Sequence, residues 1–567
     1  MATLTTALGS AWRGKPRDAG LGPVLVVLWV LVVSFILFPL LQLVTQVVHG
    51  EGGFTGRILR DTFAHRTTWV ALRNSIVLAI LVGGIGTAIG FAMALLATRG
   101  NLARWARLAI DAVILLPLVS PPFAVAISII LALGPRGLVS YSVFGLEHFV
   151  IYGWHGVLIA ETLTYFPLAY LALKGVLANA SGSIEDAAFS LGAARWHVFR
   201  TVTLPMAMPG LANSFLLLSA ASLADFATPL VLASTKFPVL PTQAYLQITG
   251  MYDLEGGSAL ALLLVFPALG IYMMQRYWIG ERSYVSVSGK AASGGALTTL
   301  SSGALSLVWA ITLVVVMLVV VFYGIIVYAS LVQALGANHT PTLIHYTTAF
   351  TQGWPVFRDT LIVAGISMPI GSAFAVILGY VLARYSFPGR RALEFTSMLD
   401  YALPGTIVGI AFLITFSRPP LVLTGGAAIL VICYVFRYSL VGTRTTIALL
   451  QQVDPAIEEA SASLGAGPFS TFRRVVTPLV LPAFAAGMTV LFIRAMTAIS
   501  ATVFLVSLNW TLRTVKILEG ITNLELGQAS AYSVLVILLI FAVVALTGVL
   551  LRSLTRGMRS PGMLLGG

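Results

Sequence analysis

Glu185-Asp186-Ala187-Ala188-Phe189-Ser190-Leu191-Gly192 and Glu458-Glu459-Ala460-Ser461-Ala462-Ser463-Leu464-Gly465 are two versions of one pattern, set 273 residues apart. The spacing holds beyond these stretches. Phe199 matches Phe472, Arg200 matches Arg473, Leu204-Pro205 matches Thr477-Pro478, and Pro209 matches Pro482. Constant spacing over so many features marks an internal repeat. Local chemistry predicts the same structure in each copy. Ser183 can cap a helix start, with Asp186 three residues on. In the second copy Asp454-Pro455 supplies an N-cap and a first-turn proline. Gly192 and Gly465 can take the left-handed conformation that stops a helix. A second short helix is then expected to run to about Thr203 or Val476, where the following proline disfavours its continuation. Each loop therefore reads as a short helix, a glycine elbow, and a second helix leading back to an apolar run. The small Ala and Ser side chains on the first helix would let it dock in a cleft on another protein.

What surrounds the loops is apolar. The chain of 567 residues is 58% hydrophobic and 9% charged, with a mean hydropathy of +0.95. A soluble domain is roughly a quarter charged, so the bilayer is the natural solvent here. Twelve segments are long enough to cross it, with cores at 23–48, 70–98, 108–133, 152–177, 206–234 and 258–278, then 306–333, 358–383, 395–417, 421–443, 480–506 and 530–551. The sequence thus predicts an all-α integral membrane protein, with twelve transmembrane helices as two six-helix repeats. The first repeat is 23–282, with its loop at 183–209; the second is 304–555, with its loop at 454–482. Between them, 283–303 is rich in Gly, Ser, Ala and Thr and reads as a flexible cytoplasmic linker at a fusion joint. Residues 1–22 and 556–567 read as cytoplasmic tails.

The net charge of +13 is spread in short clusters between apolar runs. With the N-terminus inside, one side collects Arg13, Lys15 and Arg17, then Arg99, Arg104 and Arg107, Arg195 and Arg200, Arg384, Arg390 and Arg391, and Arg552, Arg556 and Arg559. The other side has fewer, led by Arg57, Arg60 and Arg66. This bias puts both termini and both loops in the cytoplasm. No basic stripe carries interleaved aromatics, so nucleic acid is not an expected partner. Cys433 is the sole cysteine, which excludes an intrachain disulfide and a cysteine-based metal site. The seven His have no ligand-like spacing. The first apolar run reaches about Val48 and lacks a small-residue cleavage site. It reads as a membrane helix rather than a signal peptide.

The paired loops resemble the EAA loop of type I ABC importer permeases, whose pattern is Glu-Ala-Ala, three residues, Gly, nine residues, then Ile-x-Leu-Pro. Asp186-Ala187-Ala188, Gly192, Val202, Leu204 and Pro205 follow it, with Asp for Glu. So do Glu459-Ala460-Ser461, Gly465, Val475, Thr477 and Pro478, with Ser for Ala and Thr for Leu. The resemblance covers nearly the whole chain. It implies that the loops, with Glu185 and Glu458 beside the motif, couple the membrane helices to two ABC ATPase subunits. It also implies a periplasmic substrate-binding protein and a place in the bacterial inner membrane. The chain has no Gly-rich phosphate loop ending in Lys-Ser/Thr, so it is not expected to be an enzyme. ATP and Mg would be held by the partner subunits, and no cofactor or stable metal is expected on this chain.

The layout is similar to the fused permeases of ferric-iron importers, including Leu223-Ala224-Asp225-Phe226 and Ser283-Tyr284-Val285-Ser286. Similar permeases serve aminoethylphosphonate, and more distant ones thiamine, so these substrates stay open. Ionisable residues inside spans are functional candidates by default. Here they are Glu161, Asp225 and Arg494, with Tyr165 as a further oxygen donor. Carboxylates suit a hard cation such as Fe(III), whereas Arg494 suits a phosphonate. Asp225 stands where the second copy has Ala498. Each charge could instead serve as structural glue, and Asp111 and Asp400 read as helix-start or interfacial groups. An ion-gradient-driven secondary transporter would also show twelve spans and repeats, but without paired loops of this kind.

Overall fold

The computed structural model describes residues 21–50, 53–146, 149–179, 182–233, 236–279 and 302–556. Most of both expected tails, most of the linker, and the side chain of Ser183 lie outside these residues. Among the described residues, ten helices are long and apolar enough to cross a membrane. The first half holds α1 (Leu21–Val48), α2 (Arg57–Ala64), α3 (Arg66–Arg99), α4 (Arg104–Val119), α5 (Ala124–Leu133), α6 (Trp154–Asn179), α7 (Gly182–Ser190), α8 (Arg195–Ala224), α9 (Ala227–Leu232), α10 (Leu240–Gly250) and α11 (Leu254–Met273). The second holds α12 (Ser302–Ser330), α13 (Ile344–Thr351), α14 (Trp354–Arg384), α15 (Arg390–Ala402), α16 (Gly405–Phe416), α17 (Ala427–Leu450), α18 (Ala456–Ser463), α19 (Pro468–Thr497), α20 (Thr502–Leu505), α21 (Arg513–Thr522) and α22 (Leu526–Arg556). An antiparallel hairpin follows the first helix of each half: β1 (His49–Gly50) with β2 (Gly53–Phe54), and β3 (Val332–Ala334) with β4 (Asn338–Pro341).

Two of the twelve expected spans are sharply bent pairs of helices, and two others, 206–234 and 480–506, are broken after Ala224 and Thr497. The segment expected at 108–133 is α4 and α5, bent by 102°, and that at 395–417 is α15 and α16, bent by 105°. The count reaches twelve only when each bent pair is one crossing. Proline explains both bends. Ser120 and Leu403 precede Pro121 and Pro404, and both are extended, with ψ of 156° and 144°. The following ring disfavours the helical region there and removes a donor. The freed carbonyls need partners in an apolar setting. Arg437 donates to Asp400 O at 2.8 Å and to Leu403 O at 3.1 Å. On the first half the Ser120 hydroxyl donates to Pro117 O at 3.1 Å. Asp111 and Asp400 sit inside α4 and α15, so neither begins a helix. The break after α16 is also longer than the expected 418–420, because α17 starts only at Ala427.

Within each half, three helices form the centre: α3, α6 and α8 in the first, α14, α17 and α19 in the second. Lipid gives little hydrophobic drive between helices, so close approach of small residues holds them together. A Cβ added at Gly90 of α3 would lie 2.7 Å from Ala169 Cβ of α6, and one at Gly442 of α17 would lie 2.9 Å from Ala375 Cβ of α14. The halves exchange their first helices. α12 packs on α3 and α5 of the first half, and α1 packs on α16 of the second. Phe35 of α1 seals that contact, with ring centroids 5.8 Å from Phe416 and 5.1 Å from Phe436.

Candidate coupling loops and translocation path

The two loops fold alike. Gly192 has φ +83° and Gly465 has φ +86°. The Gly192 N–H bonds to Phe189 O at 2.8 Å, and the Ala193 N–H to Ala188 O at 3.1 Å. The second copy repeats this, with Gly465 to Ala462 O at 2.9 Å and Ala466 to Ser461 O at 3.1 Å. This is the Schellman pattern that a left-handed glycine permits. Asp454 Oδ1 accepts from the Ala456 N–H at 2.9 Å, in a capping role.

The expected stop before Pro205 and Pro478 does not occur. α8 and α19 run unbroken from the loop into the apolar body. A π-helical turn, Phe199–Thr203 or Phe472–Val476, directly precedes each proline pair. The Leu204 N–H reaches Phe199 O, and the Thr477 N–H reaches Phe472 O. The widened turn shifts the carbonyl that the proline ring would strike in an α-helix. Leu204, Pro205 and Pro478 therefore belong to the roots of the membrane helices rather than to the loop tips.

Burial sorts the loop residues into two sets. Glu185 and Glu458 point inward and are 2% exposed. Glu185 takes the Arg99 guanidinium at 2.7 and 2.8 Å and the Thr203 hydroxyl at 2.7 Å. Glu458 takes Arg384 Nε at 2.7 Å and the Tyr380 hydroxyl at 3.2 Å. Arg99 and Arg384 end α3 and α14, the corresponding helices of the two halves. Each short loop helix is thus tied to the second long helix of its own half. Asp186, Ala187, Glu459 and Ala460 are exposed, and Ala188 and Ser461 are half-buried. Around them stand exposed apolar residues at the same 273-residue offset: Ile184 and Ile457 at 48% and 47%, Leu191 and Leu464 at 89% each, and Trp196 and Phe469 at 69% and 75%. Two matched apolar patches of this kind mark protein contact surfaces. The sequence reading centred on Ala and Ser and passed over these three pairs.

The candidate path residues come from both halves. Glu161 and Tyr165 are on α6, Asp225 is in the break between α8 and α9, and Arg494 is on α19. The Tyr165 hydroxyl donates to Asp225 Oδ2 at 3.0 Å. Asp225 Oδ1 accepts the Ala227 and Thr228 N–H groups at 3.0 and 3.2 Å, so it also caps α9. Glu161 is fully buried and accepts the Ser222 hydroxyl. Both carboxylates are buried, whereas Tyr165 is half-buried. Tyr165 is within electrostatic reach of Asp225, Glu161 and Arg494. Arg494 is half-buried, and its guanidinium has no hydrogen bond or ion pair among the described residues.

Tyr438 belongs to this group and was missed from the sequence, although the repeat offset points to it. It is the counterpart of Tyr165, is also half-buried, and is within electrostatic reach of Arg494. The same offset pairs Glu161 with Tyr434, Asp225 with Ala498, and Arg494 with Ala221. At these matched positions the two halves are therefore alike in tyrosine and opposite in charge.

A family profile described as "Binding-protein-dependent transport system inner membrane component" matches residues 86–279 and again 375–560. The "Ferric transport system permease protein FbpB" of Actinobacillus pleuropneumoniae is 35% identical over 531 residues, 91% of this chain and 76% of the relative. FbpB 1 of Haemophilus influenzae, named provisionally as a ferric transport system permease protein, is 36% identical over 491 residues, 84% of this chain and 76% of the relative. The "Molybdenum transport system permease protein ModB" of Escherichia coli is 30% identical over 183 residues, covering 31% of this chain but 77% of the relative. One half of this chain therefore corresponds to most of that permease. The double match, the paired loops and the two six-span halves agree, and the chain belongs to the inner membrane components of binding-protein-dependent transport systems, as a permease of the ABC importer class with two fused repeats.

Proposed function

We propose that this chain forms the whole membrane path of an importer for ferric iron, fed by a periplasmic binding protein and driven by two ATPase subunits. The observation that carries the coupling half of this reading is the pair of matched apolar patches, Ile184, Leu191 and Trp196 with Ile457, Leu464 and Phe469. Two equal surfaces on one chain suit two equal partners. The ferric half is supported by the relatives of Actinobacillus and Haemophilus, which align along most of the chain. Both termini and both loops lie in the cytoplasm on this reading, because the Lys and Arg clusters fall on that side. ATP and Mg stay on the partner subunits. Half-buried Arg494, without a partner among the described residues, favours a second reading in which the cargo is an oxyanion such as aminoethylphosphonate.

Reconstitution separates the two. Under the iron reading, Fe(III)-loaded binding protein stimulates ATP hydrolysis by the complete transporter and aminoethylphosphonate does not. Asp225→Asn then lowers uptake more than Arg494→Gln at equal expression, because Asp225 holds the Tyr165 hydroxyl and the start of α9. The opposite stimulation and the opposite mutational order would discard iron and keep the importer.

A further inference from the structure

Side chains of both halves meet at one sulfur atom. Met398 of α15 is 1% exposed. Its Sδ accepts from Arg276 Nη1 at 3.4 Å, from Arg444 Nη2 at 3.1 Å and from the Tyr272 hydroxyl at 3.6 Å. Tyr272 and Arg276 close the last span of the first half, Leu254–Tyr277, whereas Arg444 is on α17 of the second. The cluster lies on the side of the coupling loops. α14 ends there at Arg384, which binds Glu458, and α15 starts soon after at Arg390. α17 ends at Leu450 and leads directly into the second loop. A thioether is a weak, uncharged acceptor, yet two guanidiniums from different helices are brought to it and so to each other. Like charges this close repel. Glu394 offsets part of the charge, 3.8 Å from Arg276 Nη2. Arg444 is exposed and has no ion pair among the described residues. Arg390, one turn before Glu394, adds a third cation, and its Nε is buried without a hydrogen bond among the described residues. The repeat does not require this arrangement. The opposite seam packs α22 on α4 as this one packs α11 on α15, and the position matched to Arg444 is Leu171. Around Arg276 in the chain, Met273 and Tyr277 are exposed at 47% and 58%. Charge beside exposed apolar surface suits an amphiphile better than a soluble ion. Two planar forks of donors suit phosphate oxygens, and basic pockets between spanning helices on the cytoplasmic side suit anionic headgroups.

We propose that Arg276 and Arg444 take the phosphate headgroup of one anionic lipid, which bridges the two halves beside the coupling loops while its chains lie along Met273 and Tyr277. The site does not depend on the identity of the cargo. The complete transporter, solubilised and stripped of lipid, is titrated with phosphatidylglycerol or with phosphatidylcholine, whose choline would add a further cation. Native mass and the unfolding midpoint follow the binding. One phosphatidylglycerol is retained for each copy of this chain and raises the midpoint, and phosphatidylcholine does neither. Arg444→Gln weakens phosphatidylglycerol binding about tenfold, as expected for loss of one charged hydrogen-bonding partner. Arg104→Gln removes an exposed charge from the same side, at the start of α4, and leaves the binding unchanged. Arg276→Gln repeats the test from the other half, so a folding defect in Arg444→Gln leaves it intact. Equal retention of the two lipids, or undiminished retention of phosphatidylglycerol in Arg444→Gln and Arg276→Gln, overturns the inference. Inorganic phosphate raising the midpoint as far as phosphatidylglycerol does would put a soluble anion at the arginines and overturn the lipid.

Discussion

Glu458 shows what one carboxylate does at a loop. It is buried against Arg384 and Tyr380 while its neighbour Glu459 is exposed. Glu458→Gln would leave Arg384 buried and short of its partner, at a cost of about 3–5 kcal/mol. We expect a clear fall in the thermal midpoint of the solubilised protein. The double variant with Arg384→Gln should recover part of it, which a double-mutant cycle measures. Arg513 is the converse case. It is 1% exposed, lies 4.5 Å from the ring centroids of Phe357 and Tyr532, and all three of its guanidinium nitrogens lack a hydrogen-bond partner. Burial pushes its pKa down to about 10. The first half has Leu240 at this place, and both residues give their backbone N–H to a hydroxyl at 2.9 Å, on Thr360 or Ser75. Arg513→Met should therefore hold or raise stability, by up to about 2 kcal/mol; a lower unfolding midpoint would mean that the two rings outweigh the desolvation. The cost of Glu161, Asp225 and Arg494 in lipid was legible in the sequence. Their facing was not, because alternation around a helix that is apolar on every side gives no phase. Only the repeat offset, applied to Tyr165, could have found Tyr438.

At the scale of elements, the glycine elbows were legible because a left-handed residue after a short helix has few candidates other than glycine. Neither elbow has an atom within 4 Å of where a Cβ would sit. A substitution there strains only the backbone, by about 1 kcal/mol. Gly192→Asp together with Gly465→Asp should then leave the protein in the membrane but reduce ATPase co-purification and transport. Wild-type yields of both would contradict the docking role. The run of α8 and α19 through Pro205 and Pro478 was not legible, because the π turns that allow it leave no periodicity of their own in so few residues. The breaks before Pro121 and Pro404 fall in the same class with the opposite outcome. Proline announced trouble at all four places, and the surrounding packing decided whether the helix bulged or broke.

For the whole molecule, two loops on one chain imply one copy of this protein with two ATPase subunits, and native mass measurement of the purified complex should give that ratio. A cytoplasm-dependent reporter fused after Arg556 should be active; activity of a periplasmic reporter there would break the topology. The two-repeat architecture was readable because matched residues keep one offset. The crossing of α1 and α12 onto the opposite halves was not, since apolar surfaces facing lipid and facing protein look alike in composition. The unlike charges at matched positions of the two halves carry a further consequence. In a pair of identical subunits, symmetry forces every substitution to occur twice across the axis. An aspartate at position 225 would be matched by a second aspartate, and an arginine at 494 by a second arginine. Joining the copies end to end lifts that constraint. Each position can be edited once, so the conduit acquires a left and a right, and the polarity of its cargo can be written into the difference between them.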